Sequence, residues 1–194
     1  EVALNVAWEL AGNFERDERV RALLTHAELV IAPALDPSAR VVEPLATPVR
    51  FERNFPSGWQ PETVRAGSGR VSLSQPETLA AVSYLANLKG CAVLLGFAPP
   101  GPRGVPYAGA ELPALDREVF AKLGAALELE GAAALVPWFE LGSPGGGLFD
   151  FAYQARGIYP LAFPLPTEEE LVAGGLDAYA LQVGARVLQC LSLL

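Results

Sequence analysis

Arg53 and Asn54, preceded by Glu52 and followed by Phe55-Pro56, place a guanidinium and an amide side by side. A guanidinium offers two parallel donors to a carboxylate. A neighbouring Glu either repels an acidic ligand or occupies the arginine itself. Other reactive side chains are few. The single histidine, His26, stands in Thr25-His26-Ala27, where it reads as a surface or loop residue, and the two cysteines, Cys91 and Cys190, lie far apart. His-x-x-Glu, His-x-x-x-His and Cys-x-x-Cys are all absent, so no zinc site is legible from spacing. One histidine also makes a Ser-His-Asp or Cys-His arrangement a poor reading. Gly142-Ser143-Pro144-Gly145 is not a nucleophile elbow. Gly145-Gly146-Gly147 lacks the Gly-Lys-Ser/Thr of a phosphate loop and reads as a turn needing positive φ. Glu168, Glu169 and Glu170 fit the acidic first turn of a helix.

The elements that must position these groups are visible in the hydrophobic pattern. Val2, Val6, Leu10 and Phe14 recur four apart, which predicts an amphipathic helix over Val2–Phe14, with a short second helix over Asp17–Leu24. Glu28–Pro33 is apolar and rich in branched residues, as a buried strand would be. From Asp36 to Leu73 the chain reads as one long irregular stretch broken by Pro37, Pro44, Pro48, Pro56 and Pro61. Ser74 and Glu77 have capping-box spacing and predict a helix to about Asn87. A strand over Cys91–Phe97, a Pro/Gly-rich loop over Pro99–Pro113, a helix over Asp116–Glu130 and a strand over Ala133–Phe139 follow. Thr167 and Glu170 form a second capping box and open a terminal helix that Gly174-Gly175 interrupts. Strands alternating with helices predict one α/β domain over 1–194, with a mixed, largely parallel sheet and helices on both faces.

Composition narrows the function classes. With 194 residues, 51% of them apolar, the chain can bury a substantial core. A formal charge of −8 with scattered arginines argues against nucleic acid, whose phosphates call for clustered Lys and Arg. No apolar run approaches the roughly 20 residues of a membrane-spanning helix. Whether Cys91 and Cys190 pair is open, and so is the compartment.

Arg53-Asn54-Phe55-Pro56, then Gly58-Trp59, then Ser74-Gln75-Pro76-Glu77-Thr78, resembles the zinc metallocarboxypeptidase family (carboxypeptidase A-like), whose members carry Asn-Arg-Asn-Phe-Pro and later Ser-Glu-Pro-Glu-Thr. Further segments follow in the family's order. Leu29-Val30-Ile31-Ala32-Pro33 with Leu35-Asp36-Pro37 resembles the strand leading to Pro-x-x-Asn-Pro-Asp-Gly, and Ala92–Phe97 resembles the strand ending Asp-x-His. Gly145–Tyr153 resembles Gly-Gly-x-x-Asp-Trp-x-Tyr, and Gly157–Leu165 resembles the strand that carries the catalytic Glu.

This resemblance implies a carboxypeptidase scaffold whose chemistry is lost. The third zinc-ligand His falls on Phe97, and the Glu that would act as general base falls on Pro164; neither side chain can replace what it displaces. Of the substrate clamp, Arg53 and Asn54 are retained as the candidate substrate-binding residues, while the partner Asn is Glu52. The closing Tyr would fall near Gly142, and the nearby Trp138 and Phe139 read as core residues. Arg40 and Arg50 are candidates for a further substrate arginine. The resemblance also implies that Glu1–Leu194 corresponds to the latter two-thirds of the domain, with His-x-x-Glu upstream. The expectation is therefore a carboxypeptidase-like protein without catalysis and without a zinc cofactor of its own. Its partner would be a peptide or protein segment, and a preceding segment or another chain would cover the sheet edge. The alternative is a divergent zinc carboxypeptidase, cleaving C-terminal residues from peptides with ligands drawn from that preceding segment.

Overall fold

The computed structural model describes residues 2–32, 35, 49–98, 112–126, 146–164, 169 and 175–191. Within them the order is α1 (Val2–Gly12), α2 (Glu18–His26), a 3-10 turn (Phe51–Arg53), α3 (Pro76–Asn87), β1 (Val93–Ala98), α4 (Ala114–Ala126), α5 (Leu148–Arg156), β2 (Tyr159–Pro164) and α6 (Leu176–Leu191). The predicted strand over Ala133–Phe139, the Thr167–Glu170 capping box, most of the Pro99–Pro113 loop, and residues Arg40, Trp138, Phe139 and Gly142 lie outside the described residues.

The two strands are parallel and pair in register from Val93↔Tyr159 to Ala98↔Pro164. Strand alternation gives the pair two faces, each with its own core. Val93, Leu95, Phe97, Tyr159 and Leu161 face a cluster built from α1 (Val6, Leu10), α2 (Val20), α4 (Phe120, Leu123, Ala126) and α6 (Ala180, Val183, Val187, Cys190). The intervening Leu94 faces a second cluster of Phe55, Leu85 of α3, Phe151 and Ala152 of α5, and Ile158. Mixed helix and strand, parallel pairing and helices on both faces agree with the α/β reading at this coarse level.

Close approach of α5 to β1 depends on a missing side chain. A Cβ on Gly96 would stand 2.3 Å from Phe149 Cζ, so any larger residue there would have to push the ring of α5 away from the strand.

Local sequence explains the start of α2. Asp17 caps α2, accepting from the Arg19 N–H at 2.9 Å, and its carboxylate also holds the Arg19 guanidinium at 2.7 Å. Those bonds pull the Asp17 carboxyl down to about 2. On α6, Ala180, Val183, Val187 and Cys190 recur at helical spacing and are all buried. The first turns of α1 and α6 meet through Asn5 Nδ2, which donates to Asp177 Oδ1 at 3.1 Å.

Three expectations are corrected. Residues 27–32 form no strand; Leu29 rests against the first cluster while Val30 is 44% exposed, so the short apolar run is accommodated as extended chain with one anchored side chain. Helix α3 starts at Pro76 with Gln75 at the cap and no side-chain cap bond, because Ser74 is engaged elsewhere and proline pre-sets the first turn. The first helix stops at Gly12, and Phe14 falls in the following turn.

Candidate functional site

Arg53 and Asn54 sit in a loop, residues 49–75, that is organised around one amide. Asn54 is fully buried. Its Nδ2 donates to Ser68 O at 2.7 Å, Val71 O at 3.0 Å and Ser74 Oγ at 3.0 Å, and its Oδ1 accepts from the Gln75 N–H at 3.1 Å. Its own carbonyl accepts from the Leu73 N–H at 2.8 Å. Buried polar groups must find partners, and a loop with few backbone ladders uses a side-chain amide to supply them. Next to it Phe55 is inserted in the second core cluster, edge-on to Phe51 at 5.0 Å between ring centroids. The Phe55 N–H donates to Gly146 O at 2.9 Å, and the Gly146 N–H donates to Ser57 O at 2.8 Å. This reciprocal pair ties the loop to the start of α5.

Arg53 points along the loop instead of into a cleft. Its Nη1 donates to Ala66 O at 2.6 Å. Arg65 lies close by, with its Nη1 3.5 Å from where a Cβ of Gly146 would stand. Burial, together with the charge of Arg53, pushes the Arg65 pKa down, while the Asp150 and Glu52 carboxylates oppose that shift. Asp150 is buried and accepts from the Gly147 N–H at 3.1 Å, closing the first turn of α5. Two cations and two carboxylates thus gather where the loop meets α5.

A second carboxylate is held by the Gly67-Ser68-Gly69 turn. Glu62 Oε1 accepts from the Gly67 N–H at 2.8 Å, and its Oε2 accepts from the Gly69 N–H at 2.7 Å. Those bonds hold the Glu62 carboxyl below the usual carboxylate range.

The strand ends form a different surface. In the observed register Phe97 pairs with Phe163, and Pro164 pairs with Ala98 one step further on. Phe97 packs against the first cluster, whereas Phe55, in the loop with Arg53, belongs to the second. A shared site at the positions that the resemblance assigns would need Phe97, Pro164 and Arg53 around one depression, and the structure does not bring Phe97 and Arg53 together. Alternation along β1 turns Phe97 away from the face that the Arg53 loop covers. A shallow depression among the described residues lies elsewhere, at the start of α4, lined by Leu112, Pro113, Ala114, Arg117 and Glu118.

Other candidates are placed plainly. His26 is exposed in the last turn of α2, with Nδ1 2.9 Å from Ala22 O. Cys91 and Cys190 are free thiols in separate clusters, Cys91 by the second and Cys190 within the first; burial pushes the Cys190 thiol up to about 11. Arg50 contributes its backbone N–H to Gly67 O at 2.7 Å. No group of three or more His, Cys, Asp or Glu is arranged to hold a metal among the described residues.

Sequence reasoning missed two features. One is the Glu62 arrangement, whose only signal was the Gly67-Ser68-Gly69 triplet. The other joins α4, α5 and β2: the hydroxyls of Tyr153 and Tyr159 both donate to the Asp116 carboxylate, the latter at 2.8 Å, around the ring of Phe120. The bond to Asp116, more than burial, pushes the Tyr159 pKa up. No spacing rule connects an aspartate to tyrosines some forty residues later.

No protein-family model matches the chain, and no curated protein matches it.

Proposed function

We propose that this chain is a carboxypeptidase-like domain that has lost catalysis and acts as a binding or regulatory module. The observation that carries the reading is the composition of the paired strand ends. The last two rows of the β1–β2 pair are Phe97 with Phe163 and Ala98 with Pro164. Neither row holds an imidazole, a carboxylate or a thiol, so the reading is the same whichever row stands at the family's ligand and base positions. A metal-activated water needs three protein ligands and a base to take its proton.

The internal engagement of the substrate-binding candidates supports the same conclusion. Arg53 is bonded to Ala66 O, and every polar atom of the Asn54 side chain has a partner within its own loop. An incoming peptide carboxylate would have to break the Arg53 contact and shed its own water. One charged hydrogen bond contributes about 1.5–3 kcal/mol net, while millimolar affinity already requires about 4 kcal/mol. Peptides with a free C-terminus should therefore bind no tighter than millimolar, and the natural ligand should be an apolar group or a protein segment. Titration of short peptides, free or amidated at the C-terminus, against wild type and Arg53→Ala is the test. Micromolar binding that needs the free carboxylate and disappears in Arg53→Ala would overturn the proposal.

A further inference from the structure

The Ala66–Gly67 peptide is bonded at both ends to a side chain of opposite charge. Its carbonyl oxygen accepts from Arg53 Nη1 at 2.6 Å, and its N–H donates to Glu62 Oε1 at 2.8 Å. One peptide bond thus lies between a guanidinium and a carboxylate. Two residues on, the Gly69 N–H takes the other carboxylate oxygen at 2.7 Å. The two amides can converge because Gly67 and Gly69 have φ of 81° and 79°, the left-handed region that a residue with a Cβ rarely adopts. Space is closed as well: a Cβ on Gly69 would stand 2.6 Å from Ser74 Oγ. Surrounding bonds fix the triplet. Gly67 O accepts from the Arg50 N–H at 2.7 Å, and Ser68 O accepts from both Asn54 Nδ2 at 2.7 Å and Trp59 Nε1 at 3.0 Å.

We propose that Gly67-Ser68-Gly69 is a built carboxylate-binding nest, that Glu62 is its resident ligand, and that Arg53 polarises it through the Ala66–Gly67 peptide. Successive backbone N–H groups in such turns form anion-binding concavities. A carbonyl that accepts from a cation makes the N–H of the same peptide a stronger donor, as hydrogen bonds in a chain polarise one another. Arg53 is then a positioning residue for an internal carboxylate. The site takes one chemical class, a carboxylate, and Glu62 holds it against any external one. The proposal stands apart from the carboxypeptidase resemblance, since every contact in it is local to the loop.

The pH dependence follows from the sign of the bonds. Hydrogen bonds to the ionised form lower the Glu62 pKa, so the nest is closed at neutral pH and opens as pH falls through that lowered value. The other charged groups of the loop are Arg65 three residues along, Arg53 across the peptide, Glu52 beside it, and exposed Arg50 and Arg70; Asp150 and Glu52 act on Arg65.

Two-dimensional amide NMR of the full chain tests this. In wild type, the Gly67 and Gly69 N–H protons should lie downfield at neutral pH. Both should move upfield with one midpoint below the ordinary glutamate range. In Arg53→Gln that midpoint should rise, and Gly67 should move more than Gly69, because only the Gly67 N–H shares a peptide with the Arg53 acceptor. In Glu62→Ala, millimolar formate should return both signals towards their wild-type positions saturably, and formate should leave wild type unchanged. A wild-type midpoint in or above the ordinary range, or glycine signals that do not follow it, overturns the nest, whether or not Glu62→Ala folds. Failure of formate to move either glycine in a folded Glu62→Ala overturns the claim of a built site. Equal or absent changes in Arg53→Gln overturn the role of Arg53.

Discussion

Asn54→Ala should be the most damaging truncation of a polar side chain in the 49–75 loop. The amide has four partners, and truncation affects them unequally. Ser68 O keeps its bond from Trp59 Nε1 at 3.0 Å, and Ser74 is exposed enough for water to replace the lost donor. The Gln75 N–H and Val71 O lose their Asn54 partners at 3.1 and 3.0 Å. A buried polar group left without a partner costs about 1–3 kcal/mol. Water reaches Val71 more easily, so the expected loss is about 2–4 kcal/mol. For a chain of this size each kcal/mol lowers Tm by about 2–4 °C, giving a fall of roughly 5–15 °C. Arg53→Ala removes one bond at a half-exposed residue and should cost about 1 kcal/mol. Asn54→Asp should be at least as harmful as Asn54→Ala, since it turns the donors into a carboxylate facing carbonyl oxygens. Urea unfolding of the three variants beside wild type measures all of this. If Asn54→Ala costs less than about 1 kcal/mol, or no more than Arg53→Ala, the amide does not organise the loop.

Two other perturbations test the fold and its electrostatics. Gly96→Ala should cost about 1–3 kcal/mol by overpacking, because the new methyl meets the Phe149 ring at 2.3 Å; Phe149→Leu in the same chain should recover part of the loss, and additive costs in the double mutant would refute the contact. Asp17 has a folded pKa of about 2, below its unfolded value. Its contribution is therefore complete above the ordinary aspartate range and is lost as pH falls through about 2, and a carboxyl-carbon NMR titration with an ordinary midpoint would refute the Arg19 pairing.

The helices were legible where a stripe was long enough to repeat. Val6 with Leu10 marks a buried face that the sequence pattern also marks, whereas the buried Val183 and Val187 of α6 were not read from spacing. Strands were less so, because a short apolar run carries no information about a partner: residues 93–98 find β2, while residues 27–32 pair with nothing among the described residues. The tetrapeptide Gln-Pro-Glu-Thr shows why local reading has limits. It occurs at 60–63 and again at 75–78. After Thr78 come Leu-Ala-Ala-Val, and the segment is the first turn of α3; after Thr63 come Val-Arg-Ala-Gly-Ser-Gly, and the same glutamate closes onto the glycines instead. Arg53 and Asn54 were singled out by the resemblance, but their partners were not visible. Ala66 O and Ser68 O are backbone atoms, which leave no trace in residue type. The strand register, and with it the separation of Phe97 from the Arg53 loop, is likewise a property of pairing that no single segment encodes.

The central claim is that the ends of β1 and β2 have no metal chemistry to offer, and zinc stoichiometry tests it most directly. Protein freed of metal by chelation, given one equivalent of zinc and then exchanged into metal-free buffer, should retain far less than one zinc per chain by elemental analysis. Retention of one zinc per chain, lost when residues flanking Phe97 and Pro164 are substituted, would contradict the account and restore the reading of a divergent zinc carboxypeptidase.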